Sequence, residues 1–163
     1  MQIYSANQKG PLKVSGFIDP DDQTNVIVFW GSPLWTANTV YRAGDLARPS
    51  SDNGYYYECS TNGKSAATQP IWQQTDDTVS GTAVFTAVPW DLWLMPDETI
   101  VDSSWTTDDA TVILTNPSHA DYKSMITITA VSDTSAEFTL TNQVTKTNGE
   151  KLSRSFKYKT NQQ

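Results

Sequence analysis

Residues 136–159 read AEFTLTNQVTKTNGEKLSRSFKYK, and this segment settles the class of the chain. Leu152, Phe156 and Tyr158 alternate with Ser153, Ser155 and Lys157. A period of two places the apolar set on one side of an extended backbone, which is the pattern of a strand with one buried face. Asn148-Gly149 stands between this strand and the run at 136–145, and that dipeptide predicts a hairpin closed by a type I′ turn. The same pattern lies upstream, where Ile126, Ile128 and Ala130 alternate with Thr127 and Thr129. Further β-branched and apolar runs at 82–88 and 111–115 are set off by Asp, Asn, Pro and Ser. Roughly ten residues per strand with regular turn chemistry predicts an antiparallel β-sandwich. No stretch holds a helical period.

The composition of the whole chain agrees. Thr, Ser and Asn together make 47 of 163 residues, while charged residues are only 18%. Hydroxyl and amide side chains have replaced the Glu, Lys, Ala and Leu of helical proteins, which favours strands and turns. A formal net charge of -7 argues against nucleic acid as a partner, because phosphate neutralisation needs clustered Lys and Arg. No apolar run approaches the ~18 residues of a membrane helix, and no secretion signal is visible. The single Cys excludes an intramolecular disulfide, and one His far from it makes structural zinc implausible. The expectation is a β-rich protein folded in the cytoplasm, with an aromatic content of 11% that includes six Trp.

Three segments follow from the pattern. Residues 1–30 read as an N-terminal arm or hairpin, with apolar runs at 12–18 and 25–30 around the turn-forming Asp19-Pro20-Asp21-Asp22. Residues 31–75 form a small β unit, punctuated by Gly44-Asp45, Asn53-Gly54 and Asn62-Gly63, with short strands near 39–41 and 54–59. A unit this small buries little aliphatic surface, so its aromatics must form the core. After a linker-like stretch at 73–80, residues 76–163 make the sandwich. Charge along this part is uneven: residues 76–109 hold eight acids and no base, whereas Lys146, Lys151, Arg154, Lys157 and Lys159 crowd the C-terminal strands. Opposite charges facing across neighbouring strands account for this; a charge-complementary contact between copies is the sharper alternative.

Two resemblances extend the reading. Trp35-Thr-Ala-Asn-Thr-Val-Tyr41-Arg-Ala-Gly44-Asp45-Leu, then Asn53-Gly54-Tyr-Tyr56-Tyr-Glu-Cys59, then Gln69-Pro70-Ile-Trp72 resembles the small carbohydrate-binding module of chitinases. It departs after the Tyr-x-Cys strand, where the family's exposed sugar platform is replaced by Ser60-Thr-Asn-Gly-Lys-Ser-Ala-Ala-Thr68. A module without that platform is similar to one that recurs in tailed-bacteriophage virion proteins. Asp91-Leu-Trp-Leu-Met-Pro96-Asp97-Glu98-Thr-Ile100-Val-Asp-Ser-Ser-Trp105-Thr resembles a phrase in small phage structural proteins that opens an immunoglobulin-like domain. The closing strand pair of that domain resembles residues 138–147 and 149–158. Asn116-Pro-Ser-His-Ala-Asp121 departs from the Gly-rich turn usual there.

Reactive chemistry finds little footing. Asp76-Asp77 and Asp108-Asp109 are adjacent, so within a strand they diverge rather than flank a substrate at ~5–9.5 Å. His119 has no nucleophile elbow to serve. Cys59 among aromatics reads as a small buried hydrophobe. Asp19, Asp21, Asp22 and Asn25 lack the spacing of a calcium loop, and no phosphate-binding loop or dinucleotide fingerprint occurs. Trp35, Tyr41, Tyr56 and Trp72 are expected to form the core of the small unit, and Trp105 to lie in the sandwich core. Tyr55, Tyr57, Trp72, Trp90 and Trp93 are the candidates for glycan stacking or a partner contact; Trp90 and Trp93 fit either a cap on the sandwich or a contact between subunits.

The resemblances imply a non-enzymatic virion component of a tailed bacteriophage, without catalytic residue, cofactor or metal, localised in the particle. Capsid decoration, with the major capsid protein and further copies of itself as partners, is the preferred placement. A tail or neck position and attachment to glycans are the alternatives, and a hydrolase acting on cell-wall polymer is a weaker one.

Overall fold

A computed structural model describes residues 2–5, 14–18, 23–90, 92–130 and 137–160. Among them the chain is all-β, and no helix is long and apolar enough to cross a membrane. The strands in chain order are β1 (Gln2–Ser5), β2 (Val14–Ile18), β3 (Thr24–Phe29), β4 (Val40–Tyr41), β5 (Leu46–Ala47), β6 (Tyr55–Thr61) and β7 (Gly63–Lys64). They continue as β8 (Thr78–Ser80), β9 (Ala83–Pro89), β10 (Ile100–Thr107), β11 (Ile113–Ala120), β12 (Lys123–Ala130), β13 (Glu137–Lys146) and β14 (Lys151–Thr160). The chain folds as two compact units, one of residues 1–31 with 93–163 and one of residues 32–92.

The larger unit is a sandwich of two four-stranded sheets, ordered β1-β3-β12-β11 and β10-β13-β14-β2. Numbered within the unit, these are strands 1-3-6-5 against 4-7-8-2, the order of an immunoglobulin sandwich whose first strand is split between the sheets. β1 runs parallel to β3, and β2 parallel to β14. Val26 and Val28 of β3, Ile126 and Ile128 of β12, Phe138, Leu140 and Val144 of β13, and Phe156 and Tyr158 of β14 meet in one core. Alternation drives this: along β13, and along β14 from Arg154 onward, every second side chain is buried. Trp105 is half-buried against the same core.

The smaller unit holds the sheet β5-β6-β9-β8 and the separate pair β4-β7. Its core is aromatic: Tyr41, Tyr57, Cys59 and Phe85, with Trp35, Tyr55 and Trp72 packed against it.

Several expectations shift. In their described strands residues 1–30 form neither a free arm nor a hairpin of β2 with β3, because β3 is paired on both sides, to β1 and β12, and β2 pairs with β14; the turn at Asp19–Asp22 lies outside the described residues. The small unit runs to residue 92 rather than 75, since β8 and β9, cut off by the expected linker, complete its sheet. Asn116-Pro117 is no loop but a bulge inside the edge strand β11, with Asn116 at φ 52, a place where proline costs no ladder bond. The β13–β14 turn is not type I′, which needs two left-handed residues. Only Gly149 is left-handed, at φ 84, and the Gly149 N–H donates to the Lys146 carbonyl at 2.9 Å. That is the longer loop with a glycine bulge.

Candidate functional site

The aromatic residues singled out from sequence separate by the period of β6. Tyr55, Tyr57 and Cys59 point to the small unit's core, and the intervening Tyr56 points to the other face. Tyr57 therefore takes the core place expected for Tyr56, and as a fully buried ring it is no contact residue. Trp72 lies 4.3 Å from the Tyr57 ring and meets Phe85 edge-on at 5.7 Å, while Tyr41 meets Phe85 at 5.0 Å. Two hydroxyls are anchored: the Tyr41 oxygen accepts from the Thr36 N–H at 2.8 Å, and the Tyr57 oxygen accepts from Asn53 Nδ2 at 2.9 Å. Burial pushes both phenols and the Cys59 thiol above their ordinary values. The indole N–H groups of Trp35 and Trp72 are buried without an acceptor among the described residues, each at a cost of about 1–3 kcal/mol. Trp90 packs edge-on to Tyr56 at 6.1 Å, and Trp93 to Trp30 at 6.4 Å.

Of the five candidates, then, Tyr57 is interior, and Tyr55, Trp72, Trp90 and Trp93 are half-buried against other rings or a core. The large exposed apolar side chains of the small unit are aliphatic instead: Ile71, 86% exposed beside Trp72, with Val40 at 67%, Val79 at 64% and Leu34 at 50%.

The acidic pairs accept hydrogen bonds. Asp77 accepts from the Thr86 hydroxyl at 2.8 Å. Asp108 accepts from the Thr139 N–H at 2.6 Å, which holds its carboxyl below the usual range. Asp109 accepts from the N–H and hydroxyl of Thr111. His119 is exposed on β11, and Asn25 accepts from the Thr127 hydroxyl at 2.8 Å. Among the described residues no three His, Cys, Asp or Glu side chains gather as a metal site.

Three polar arrangements escape the sequence reading. In the sandwich core the Trp30 indole donates to Asn142 Oδ1 at 2.9 Å and Ser124 Oγ at 3.0 Å, while Asn142 Nδ2 donates to Ser103 Oγ and the Ser104 carbonyl at 3.0 Å. The network ties β12 of one sheet to β10 and β13 of the other. Its signal was available: an Asn on an apolar beat of an alternating strand. At the β13–β14 end, Lys146, its side chain 7% exposed, bonds Glu98 at 2.7 Å and also pairs with Glu150.

The third is the outer face of β10-β13-β14. Opposite the core lie Asp102, Ser104 and Thr106 of β10, Thr139, Thr141, Gln143 and Thr145 of β13, and Lys151, Ser153, Ser155 and Lys157 of β14. Neighbouring hydroxyls join, Thr141 to Ser155 at 2.8 Å and Gln143 to Ser153 at 3.1 Å. The repeated Thr-x-Thr of β13 signals this face.

No protein-family model matches the chain, and no curated protein matches it.

Proposed function

We propose that the chain is a non-enzymatic structural protein of a tailed-bacteriophage virion, a capsid decoration or head-associated protein that docks on the shell. The observation that carries this reading is the placement of a complete second unit, residues 32–92, in the connection between β3 and β10. In an immunoglobulin sandwich that connection belongs to the loop set that carries recognition, so the sandwich serves as base and the insert as the variable element. Cys59 packs in an aromatic core, and Asp108 and Asp109 cap backbone N–H groups. Docking needs shape and repeated modest contacts rather than a reactive centre, and many copies raise the effective affinity.

Cryo-microscopy of purified particles of the virus that encodes the chain tests this. Density for the sandwich and insert on the head is the expected result; density at the tail or neck moves the position, and particles without the chain overturn the reading. Glycan attachment is the second reading, favoured by the partly exposed rings of Tyr55 and Trp72. A glycan array with the intact protein decides it, and no retained sugar leaves the small unit as scaffold.

A further inference from the structure

We infer that the outer face of β10-β13-β14 is a self-complementary surface that pairs with a second copy of this chain. The face carries its charge in two columns. Asp102 and Asp108 stand at β10, Lys151 and Lys157 stand on β14, and between them β13 presents Thr139, Thr141, Gln143 and Thr145. The register puts Asp102 opposite Thr145 and Thr145 opposite Lys151. At the other end, Asp108 caps the Thr139 N–H, and Thr139 lies opposite Lys157. Each acid thus shares a level with a lysine, yet the two are separated by β13, about 10 Å away at ~4.8 Å per strand. That is too far for an ion pair within the chain. Lys159, by contrast, pairs with Glu137 on its neighbouring strand.

A two-fold axis running along the strands above β13 resolves this. It lays the β10 column of one copy over the β14 column of the other and preserves level along the strands. Asp102 then meets the second copy's lysine at position 151, Asp108 the one at 157, and each pair occurs twice, as an isologous contact requires. The hydroxyl rows of β13 close the centre, with threonine methyls as the apolar component. Three strands ~30 Å long and ~4.8 Å apart present about 450 Å² per copy. That is below the ~800 Å² of a standard interface, so the contact is weak in isolation and gains from multiple copies. It is steered by charge and weakened by salt. The inference stands apart from the virion reading, since it is tested on purified protein without particles.

Sedimentation equilibrium of the full chain at low and high salt provides the test. The wild type is expected to dimerise reversibly, with a dissociation constant that rises with salt. Asp102→Lys and Lys151→Glu each place like charges in contact twice and raise that constant by about tenfold or more. Both positions are exposed, and an unchanged circular dichroism spectrum confirms the fold. Mixed in equal amounts, the two variants form a heterodimer with both pairs restored, and association returns toward the wild-type value. A wild type that stays monomeric near ~1 mM in low salt, a reversal without effect, or a mixture as weak as its components overturns the inference. The last outcome also distinguishes this face from sheet-edge pairing at β10, which the mixture does not rescue.

Discussion

Asn142 occupies a position that the alternation of β13 assigns to an apolar side chain, and it is buried completely. The site is tolerable because every polar atom has a partner: Trp30, Ser124, Ser103 and the Ser104 carbonyl. Asn142→Leu strands the Ser103 hydroxyl and the Ser104 carbonyl, and is expected to cost roughly 2–4 kcal/mol in urea unfolding; a loss under about 0.5 kcal/mol would mean the network contributes nothing. The Lys146 ammonium beside Glu98 holds that carboxyl below its ordinary value, with the Met95 N–H adding to the effect. A carboxyl lowered on folding stabilises above its unfolded value of ~4.3 and loses that contribution as pH falls through the folded one. Wild-type stability should therefore fall from about pH 5 downward. The deficit of Glu98→Gln at neutral pH should shrink on acidification, which unfolding midpoints across the range measure; a deficit constant with pH contradicts the pairing. Asp108 is lowered by the Thr139 N–H and adds to the same acid limb, and Lys146, raised by its two carboxylates, keeps its charge throughout. From sequence, Lys146 counts only among the bases of the C-terminal strands and Asn142 only as a polar residue on an apolar beat, because alternation says which side a residue faces but not what waits there.

Strand existence was legible where the period was clean, and turn geometry was not. The alternation at 124–131 and 151–159 marks β12 and β14, and the Tyr triplet marks β6. The short β8 falls inside the expected linker, because Thr78–Ser80 carries only one apolar side chain, Val79, and that one is exposed. Two glycines separate local from tertiary constraint. Gly149 at φ 84 has open space around a would-be Cβ, so Gly149→Ala pays only the left-handed penalty, about 1 kcal/mol. Gly81 at φ 63 has the Lys64 carbonyl oxygen 2.3 Å from that position, so Gly81→Ala adds a backbone clash and is expected to cost roughly 3 kcal/mol. Thermal unfolding followed by tryptophan fluorescence ranks the two, and equal losses would refute the distinction. Nothing in the local sequence around Gly81 reveals β7, since the clash comes from a strand paired elsewhere.

At the scale of the molecule, the two segments of the sandwich that flank the inserted residues lie side by side. The Leu94 N–H donates to the Trp30 carbonyl at 2.9 Å, and Gly31 lies against Leu94. Replacing residues 32–92 by a short Gly-Ser linker should therefore leave a folded sandwich, its midpoint within about 5 °C of the parent transition, or about 1 kcal/mol. A chain that loses its near-ultraviolet dichroism instead shows that the sandwich depends on its insert. The same insertion explains the boundary errors of the sequence reading. An immunoglobulin order needs its early strands beside its late ones, so β3 pairs with β12 across an interval that contains the whole small unit. The amino-acid order specified that this chain is all-β, where its strongest strands lie and that its small unit has an aromatic core, because period and side-chain type are local quantities. Folding alone assigned β1 and β3 to one sheet and β2 to the other, put Tyr57 rather than the equally buried Tyr56 in the small unit's aromatic core and aligned acids with lysines across β13, because pairing partners are chosen by contacts between residues far apart in the chain.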